Sequence, residues 1–245
     1  MGINNMVQFV KQLSGRMTPN MYASVASRTD AASIAYLRQL QRELKREDVL
    51  DVPFSELKVV VFDLETTGFD PYKGDRILSI GAVKVQGGKM CEGETYYSLI
   101  QFNGEISEEI SHLTGITKEA LMDAPPVEVV LKEFYEFVNG DTLIAHHANH
   151  ERKFMDHITW SIMRRNFQHR IIDTSFLTKI VEPEKNLISL SECCAHFDIQ
   201  IEQRHHALHD AIATAQLWTK NLTAIQALGF GNLKEVYAHL ATNRR

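Results

Sequence analysis

Three short segments gather acidic and histidine side chains in patterns that could hold a cation. The first is Phe62-Asp63-Leu64-Glu65-Thr66-Thr67-Gly68, at the end of an apolar run. Residues two apart on a strand share a face, so Asp63 and Glu65 project side by side. Adjacent carboxylates oppose each other's ionisation unless a cation lies between them, and hard oxygen ligands suit Mg2+ or Mn2+. Taken singly, the pair reads more readily as the solvated end of a strand.

The second segment is Ala145-His146-His147-Ala148-Asn149-His150-Glu151. A helix that follows it, projected at about 100° per residue, carries Phe154, Met155, Ile158 and Ile162 on one stripe. Glu151 lies near the centre of that stripe, whereas Arg152, Lys153 and Asp156 point elsewhere. A first-turn acid also suits the helix dipole, but the dipole gives no reason for an inward face. The third segment is His205-His206-Ala207-Leu208-His209-Asp210, ahead of a helix whose stripe is Ala211, Ala215, Trp218, Leu222 and Ile225. Asp210 sits on the flank of that stripe. A histidine just before such a helix could act as general base toward a metal-bound water. On its own, this segment is an ordinary helix start with exposed histidines.

The elements around these segments read as α/β. Leu57 to Phe62 is apolar on both faces, as a strand buried on two sides would be. Arg76 to Val85 and Glu94 to Phe102 read as two further strands joined through the turn residues Gly87-Gly88. Helices follow over Val127–Val138, Glu151–Met163, Leu190–Phe197 and His206–Ile225, with a short strand at Thr142–Ala145. A three-strand meander followed by alternating strands and helices implies a mixed central sheet flanked by helices. Residues 1–55 read as a helical N-terminal extension, with an amphipathic helix over Asp30–Glu47 (Ile34, Leu37, Leu40 and Leu44 on one side). A terminal helix is expected over Leu233–Leu240. The organisation is therefore 1–55, a main domain at 56–226, and a C-terminal helix within 227–245 packed on or near it.

Order and spacing join the three segments. FDLETTG, then AHHANHE, then HHALHD resembles the DEDDh exonucleases, the superfamily that includes the proofreading epsilon subunit of bacterial DNA polymerase III. The resemblance covers roughly residues 57 to 225. Smaller marks agree: His112-Leu113-Thr114-Gly115-Ile116-Thr117 looks like the family's loop after the third strand, and Ile172-Asp173-Thr174 like its fifth strand end. The resemblance implies a ribonuclease H-like fold and a 3′-5′ exonuclease of DNA or RNA that releases nucleoside 5′-monophosphates with two divalent cations, Mg2+ or Mn2+. It implies Asp63, Glu65, Glu151 and Asp210 as metal ligands and His205, five residues before Asp210, as general base, with His206 and His209 as bystanders. Leu64, Thr66, Thr67, Gly68 and His146 would bind the terminal nucleotide. The second motif departs from the family's His-Asn-x-x-Phe-Asp: His147, His150 and Glu151 replace Asn, Phe and Asp. Glu151 keeps the charge but extends the carboxylate by a methylene, on the order of 1.5 Å.

Other readings remain at this level. One is a nucleic-acid-binding module that keeps the fold and has lost efficient catalysis. Another is a zinc site built from His146/His150 and His205/His209, although no H-E-x-x-H is present and Cys193 and Cys194 are adjacent, as core residues of a helix would be. The basic cluster Arg164, Arg165, His169 and Arg170, with Phe167 interleaved, could contact strand phosphates and a base, or merely solvate a helix end. A net charge of −5 argues against a protein that coats nucleic acid, but not against a cleft that holds a few nucleotides. No apolar run approaches the roughly 20 residues that span a bilayer. The odd number of cysteines implies no disulfide framework, and a cytoplasmic location is expected. The expected partner is a single-stranded 3′ end, with no membrane; the N-terminal helices could dock a DNA polymerase or self-associate.

Overall fold

The central strand of the molecule owes its place to its composition, since Val59, Val60, Val61 and Phe62 are all fully buried and alternate between two separate cores. The computed structural model describes residues 49–242. The helix expected over Asp30–Glu47 and most of the 1–55 extension lie outside the described residues.

Strand β1 (Lys58–Thr66) is flanked by β2 (Ile77–Gln86) and, beyond it, β3 (Lys89–Leu99) on one side. On the other side stand β4 (Thr142–Ala145) and β5 (Ile171–Asp173). The order is β3-β2-β1-β4-β5. β1, β2 and β3 pair antiparallel, while β1, β4 and β5 run parallel, so the sheet is mixed as the sequence implies. Gly87 and Gly88 join β2 to β3 with φ of 56° and 74°, a two-residue turn that few side chains would accept.

Two strand limits differ most from the sequence reading. β1 continues beyond Phe62 through the first motif to Thr66, so Asp63 and Glu65 stand within the strand, as their two-residue spacing implies. β3 begins at Lys89, because its first half is an exposed sheet edge on which Lys89, Glu92 and Glu94 hide the apolar alternation.

The helices among the described residues are α1 (Glu108–Thr114), α2 (Lys118–Met122), α3 (Val127–Val138), α4 (Asn149–Met163), α5 (Ser175–Val181), α6 (Leu190–His196), α7 (Ala207–Ala227) and α8 (Leu233–Thr242). α1 and α2 escape a periodicity reading because each is shorter than a full stripe. Local capping starts them: Ser107 accepts from Ile110 N–H and Thr117 from Ala120 N–H. α3 and α4 cover one face of the sheet through Val130, Leu131, Phe134, Phe154 and Met155. α7 and α8 cover the other through Trp218, Leu222, Ile225, Leu233 and Val236. Cys193 and Cys194 are buried in α6.

The segment before β1 is tied to the start of α8. Pro53 bridges Asn232, Phe54 N–H donates to the Gly231 carbonyl at 2.9 Å, and Lys234 N–H donates to the Leu50 carbonyl at 2.9 Å.

The phosphate-binding reading of the cluster around Phe167 is overturned in part. Phe167 and His169 are buried, and the His169 ring lies 5.2 Å from both Phe167 and Tyr135 in stacked contacts. Burial pushes His169 down to about 4, so it is neutral and offers phosphate no charge. Local sequence gave no sign that the chain turns inward after α4.

Candidate active site

The pleat of β1 decides which side chains meet. Val60, Phe62 and Leu64 enter the core under α3 and α4, whereas Val59 and Val61 face α7, and Asp63 and Glu65 continue that second face. Asp63 is paired with Gly81 on β2. A Cβ added to Gly81 would lie 2.2 Å from the backbone of Ala207 and Leu208. The bare glycine therefore admits the first turn of α7 onto the sheet beside Asp63, and Asp210 arrives with it. The flank of the α7 stripe is covered by the sheet, and Asp210 there is 3% exposed.

His205 lies just ahead of α7 in the left-handed region, at φ 58°, a conformation rare for a residue with a side chain. Its N–H donates to Asp210 Oδ2 at 3.0 Å. Glu65, His205 and Asp210 offer ligand atoms within 4.8 Å of one another, and they form the only such group among the described residues. Asp63 and Glu151 stand close enough to influence the same charges. Glu151 is buried at the start of α4, as the helical projection implies.

Burial, then the neighbouring carboxylates Glu151, Glu65 and Asp210, hold Asp63 well above the ordinary carboxylate range, against the pull of Arg204. Burial and then Asp210 push Glu65 up to about 8, again opposed by Arg204. Glu151 also reaches about 8, through burial first and then Asp173 and Glu65. Burial pushes His205 below its usual value, with Arg204 adding to the effect. An imidazole that stays neutral is one that accepts a proton.

A cation fits this donor set. Glu151 Oε2 and Asp210 Oδ1 are buried with no hydrogen-bond partner among the described residues, an arrangement that costs free energy unless something positive meets them. The oxygens are hard, and the single imidazole accompanies carboxylates rather than thiolates. A zinc site of histidines is not assembled. His146 and His147 both point their Nε2 at the Ile188 carbonyl, at 2.9 and 2.7 Å. His209 pairs with Glu202, and the His206 ring stacks on Tyr97 at 4.5 Å.

The residues expected to bind substrate are spread around this centre. Thr66 is buried beside Glu65 and donates its hydroxyl to the Gly68 carbonyl at 2.7 Å. Thr67 and Gly68 open the loop to β2, where Thr67 Oγ1 accepts from Arg76 N–H at 3.0 Å. Leu64 sends its side chain into the core. Both His146 nitrogens are engaged by the protein, Nδ1 with Thr174 Oγ1 at 2.7 Å. His150 lies with Nε2 at 3.3 Å from Thr66 Oγ1.

Two residues without a sequence-level role belong to the site. Arg204 forms an ion pair with Asp210 Oδ2 and donates from Nε to Ser191 at 3.1 Å. Its position immediately before His205 was the available signal. Asp173 at the end of β5 accepts from Ala148 N–H at 3.0 Å and Ser175 N–H at 2.8 Å. It thereby serves the start of α4, which lacks a side-chain cap of its own.

Comparison with known proteins follows the same residues. The profile of the exonuclease family RNase_T matches residues 60–218. A PolC-type DNA polymerase III of Thermotoga maritima is 34% identical over 186 residues, which cover 76% of this chain and 13% of that protein. A DNA polymerase III subunit epsilon-like protein of Rhodobacter capsulatus is 33% identical over 195 residues, 77% of this chain and 28% of its own. The chain thus spans a small part of the PolC-type relatives it matches. Among solved structures, the nuclease domain of 3′hExo, a DEDDh family member bound to rAMP, aligns with a TM-score of 0.60 at 18% identity, over 70% of this chain and 94% of that one. Exonuclease X in complex with 5′ overhanging duplex DNA aligns with a TM-score of 0.54 at 19% identity, over 74% and 98%. These two likenesses establish the fold.

Proposed function

The chain belongs to the exonuclease family RNase_T, and on that premise we propose that it is a metal-dependent 3′-5′ exonuclease that shortens a DNA or RNA strand and releases nucleoside 5′-monophosphates. The observation that carries this reading is the convergence of Glu65, Asp210 and His205 beside Asp63 and Glu151, with Glu151 Oε2 and Asp210 Oδ1 buried and without a hydrogen-bond partner among the described residues.

Asp63, Glu65, Glu151 and Asp210 would hold two divalent cations, Mg2+ or Mn2+. Bound there, such ions supply charge neutralisation and Lewis-acid polarisation at a phosphodiester. His205, kept neutral by its surroundings, takes the proton of the attacking water. Thr66, Thr67 and Gly68 would orient the terminal nucleotide through backbone and hydroxyl groups. The polymerase names of the relatives support a DNA polymerase as partner, and three free thiols suit a cytoplasmic setting. Residues 56–226 would then form the catalytic unit.

The test is digestion of matched single-stranded DNA and RNA oligomers, with free or blocked 3′ ends, in Mg2+ or Mn2+. Stepwise loss of mononucleotides from free ends is expected, abolished by Asp63→Ala in a protein with unchanged circular dichroism. Cleavage that ignores the 3′ block, or that survives Asp63→Ala, removes the proposal.

A further inference from the structure

We propose that the outward face of α4 is a track for the single strand as it leaves the cleavage centre, gripping bases with rings and phosphates with cations; this deepens the exonuclease reading and rests on it. α4 starts at the carboxylates and runs away from them for 15 residues. At about 100° per residue, His150, Lys153, His157, Trp160 and the capping Arg164 fall within an arc of roughly 80°. At about 1.5 Å per residue that stripe is roughly 21 Å long. It interleaves three rings with two positive charges, the composition of a surface that binds single strands without reading their sequence.

The loop between β1 and β2 supplies a second row of rings against this stripe. Phe69 approaches His150 edge-on at 6.0 Å, and Tyr72, in the turn Pro71–Lys73, approaches His157 edge-on at 5.3 Å. Phe69 is 85% exposed, Tyr72 70% and Trp160 52%. Among the described residues these three large rings stay largely in water, more than packing against their neighbours would require.

The charge of the face suits a polyanion although the whole chain is negative. Lys153 and Arg164 are exposed. Of the nearby acids, Asp70 pairs with Lys73 at 3.7 Å; Asp75, whose charge acts on His150, accepts from Asp70 N–H at 2.9 Å and from Thr67 Oγ1 at 3.3 Å within its own loop; and Asp156 lies outside the arc, under the influence of Arg152 and the backbone of Phe167. The track begins at His150, one residue from Glu151, so it is continuous with the proposed cleavage centre. A folded protein partner would have no need of that continuity.

The full chain in EDTA is titrated with fluorescent single-stranded DNA and RNA of roughly 15 nucleotides, and with the same DNA as a duplex. In parallel, with Mg2+ or Mn2+, the ratio of kcat/KM for the long strand to that for a dinucleotide is measured. Tyr72→Ala, Trp160→Ala and Lys153→Glu are compared with the parent after their melting temperatures are matched. Each ring substitution is expected to weaken single-strand binding about fivefold or more and to shrink the long-to-short ratio by a similar factor. Lys153→Glu should also flatten the dependence of binding on salt. Binding within twofold of the parent in all three variants overturns the track and leaves the exonuclease reading standing. Binding that falls in the variants of a parent that cuts nothing removes the exonuclease reading and with it the exit track, leaving only a strand-binding face. A parent that binds no single strand, or prefers the duplex, overturns the track.

Discussion

Arg204 holds the carboxylate of Asp210 in an ion pair at the edge of the acidic cluster, with a side chain that is 34% exposed. The guanidinium competes for an oxygen that a divalent cation would use. Arg204→Ala should therefore tighten Mn2+ binding, by up to about fivefold for a pair that solvent partly screens. Calorimetric titration of the metal-free protein reads this directly. Weaker binding in the variant would mean that Arg204 aims Asp210 at the ion instead.

Metal-free stability should fall as pH rises. Glu65 and Glu151 are each pushed up to about 8 in the folded chain, well above the roughly 4.3 of a free glutamate. Between those values the folded chain binds more protons than the unfolded one, so their contribution is intact below about 4.3 and is lost as pH climbs through 8. Melting in EDTA at pH 5, 6, 7 and 8 checks the trend. Excess Mg2+ or Mn2+ should restore the loss, most at pH 8, by roughly 5–10 °C at about a hundredfold excess over Kd. A melting temperature that stays flat with pH in EDTA would contradict the buried acidic cluster.

Glu151 presents its carboxylate from one methylene further out than an aspartate would. Its Oε2 is buried with no hydrogen-bond partner among the described residues, and the start of α4 is fixed by Asp173, so the site is built around the longer side chain. Glu151→Asp should lower kcat by on the order of a hundredfold, the usual cost of misplacing a catalytic group by about 1 Å. A faster variant would show instead that the present enzyme is the detuned one.

Gly81→Ala should damage the site from the neighbouring strand. The added Cβ meets the backbone of Ala207 and Leu208, not a movable side chain, so α7 must lift and take Asp210 with it. The expected cost is about 1–3 kcal/mol of stability, read by denaturant melts, together with a loss of divalent affinity. Unchanged metal binding would mean that Asp210 does not depend on the close approach of α7.

How far the sequence disclosed this molecule depends on the range of the physics involved. The strand pleat and the helical period are local rules, and they put Asp63, Glu65 and Glu151 on the faces they occupy. Asp210 was harder, because whether a stripe's flank is covered depends on Gly81, more than a hundred residues away in the chain. Arg204 and Asp173 showed in the sequence only as positions, beside His205 and at a strand end; what they do follows from the left-handed turn at His205 and from the three-residue strand β5. Phe167 and His169 misled because a short stretch with rings among basic residues looks the same whether it faces a strand of nucleic acid or Tyr135.

The alternation along β1 also sets which changes of length the gene could survive. One residue added or removed between Val59 and Glu65 would exchange the two sides of the strand, driving both carboxylates into oil and exposing Phe62 and Leu64 to the cleft. Insertions and deletions within this family member should therefore collect in the loops that join its strands, while β1 keeps its count even where its letters drift.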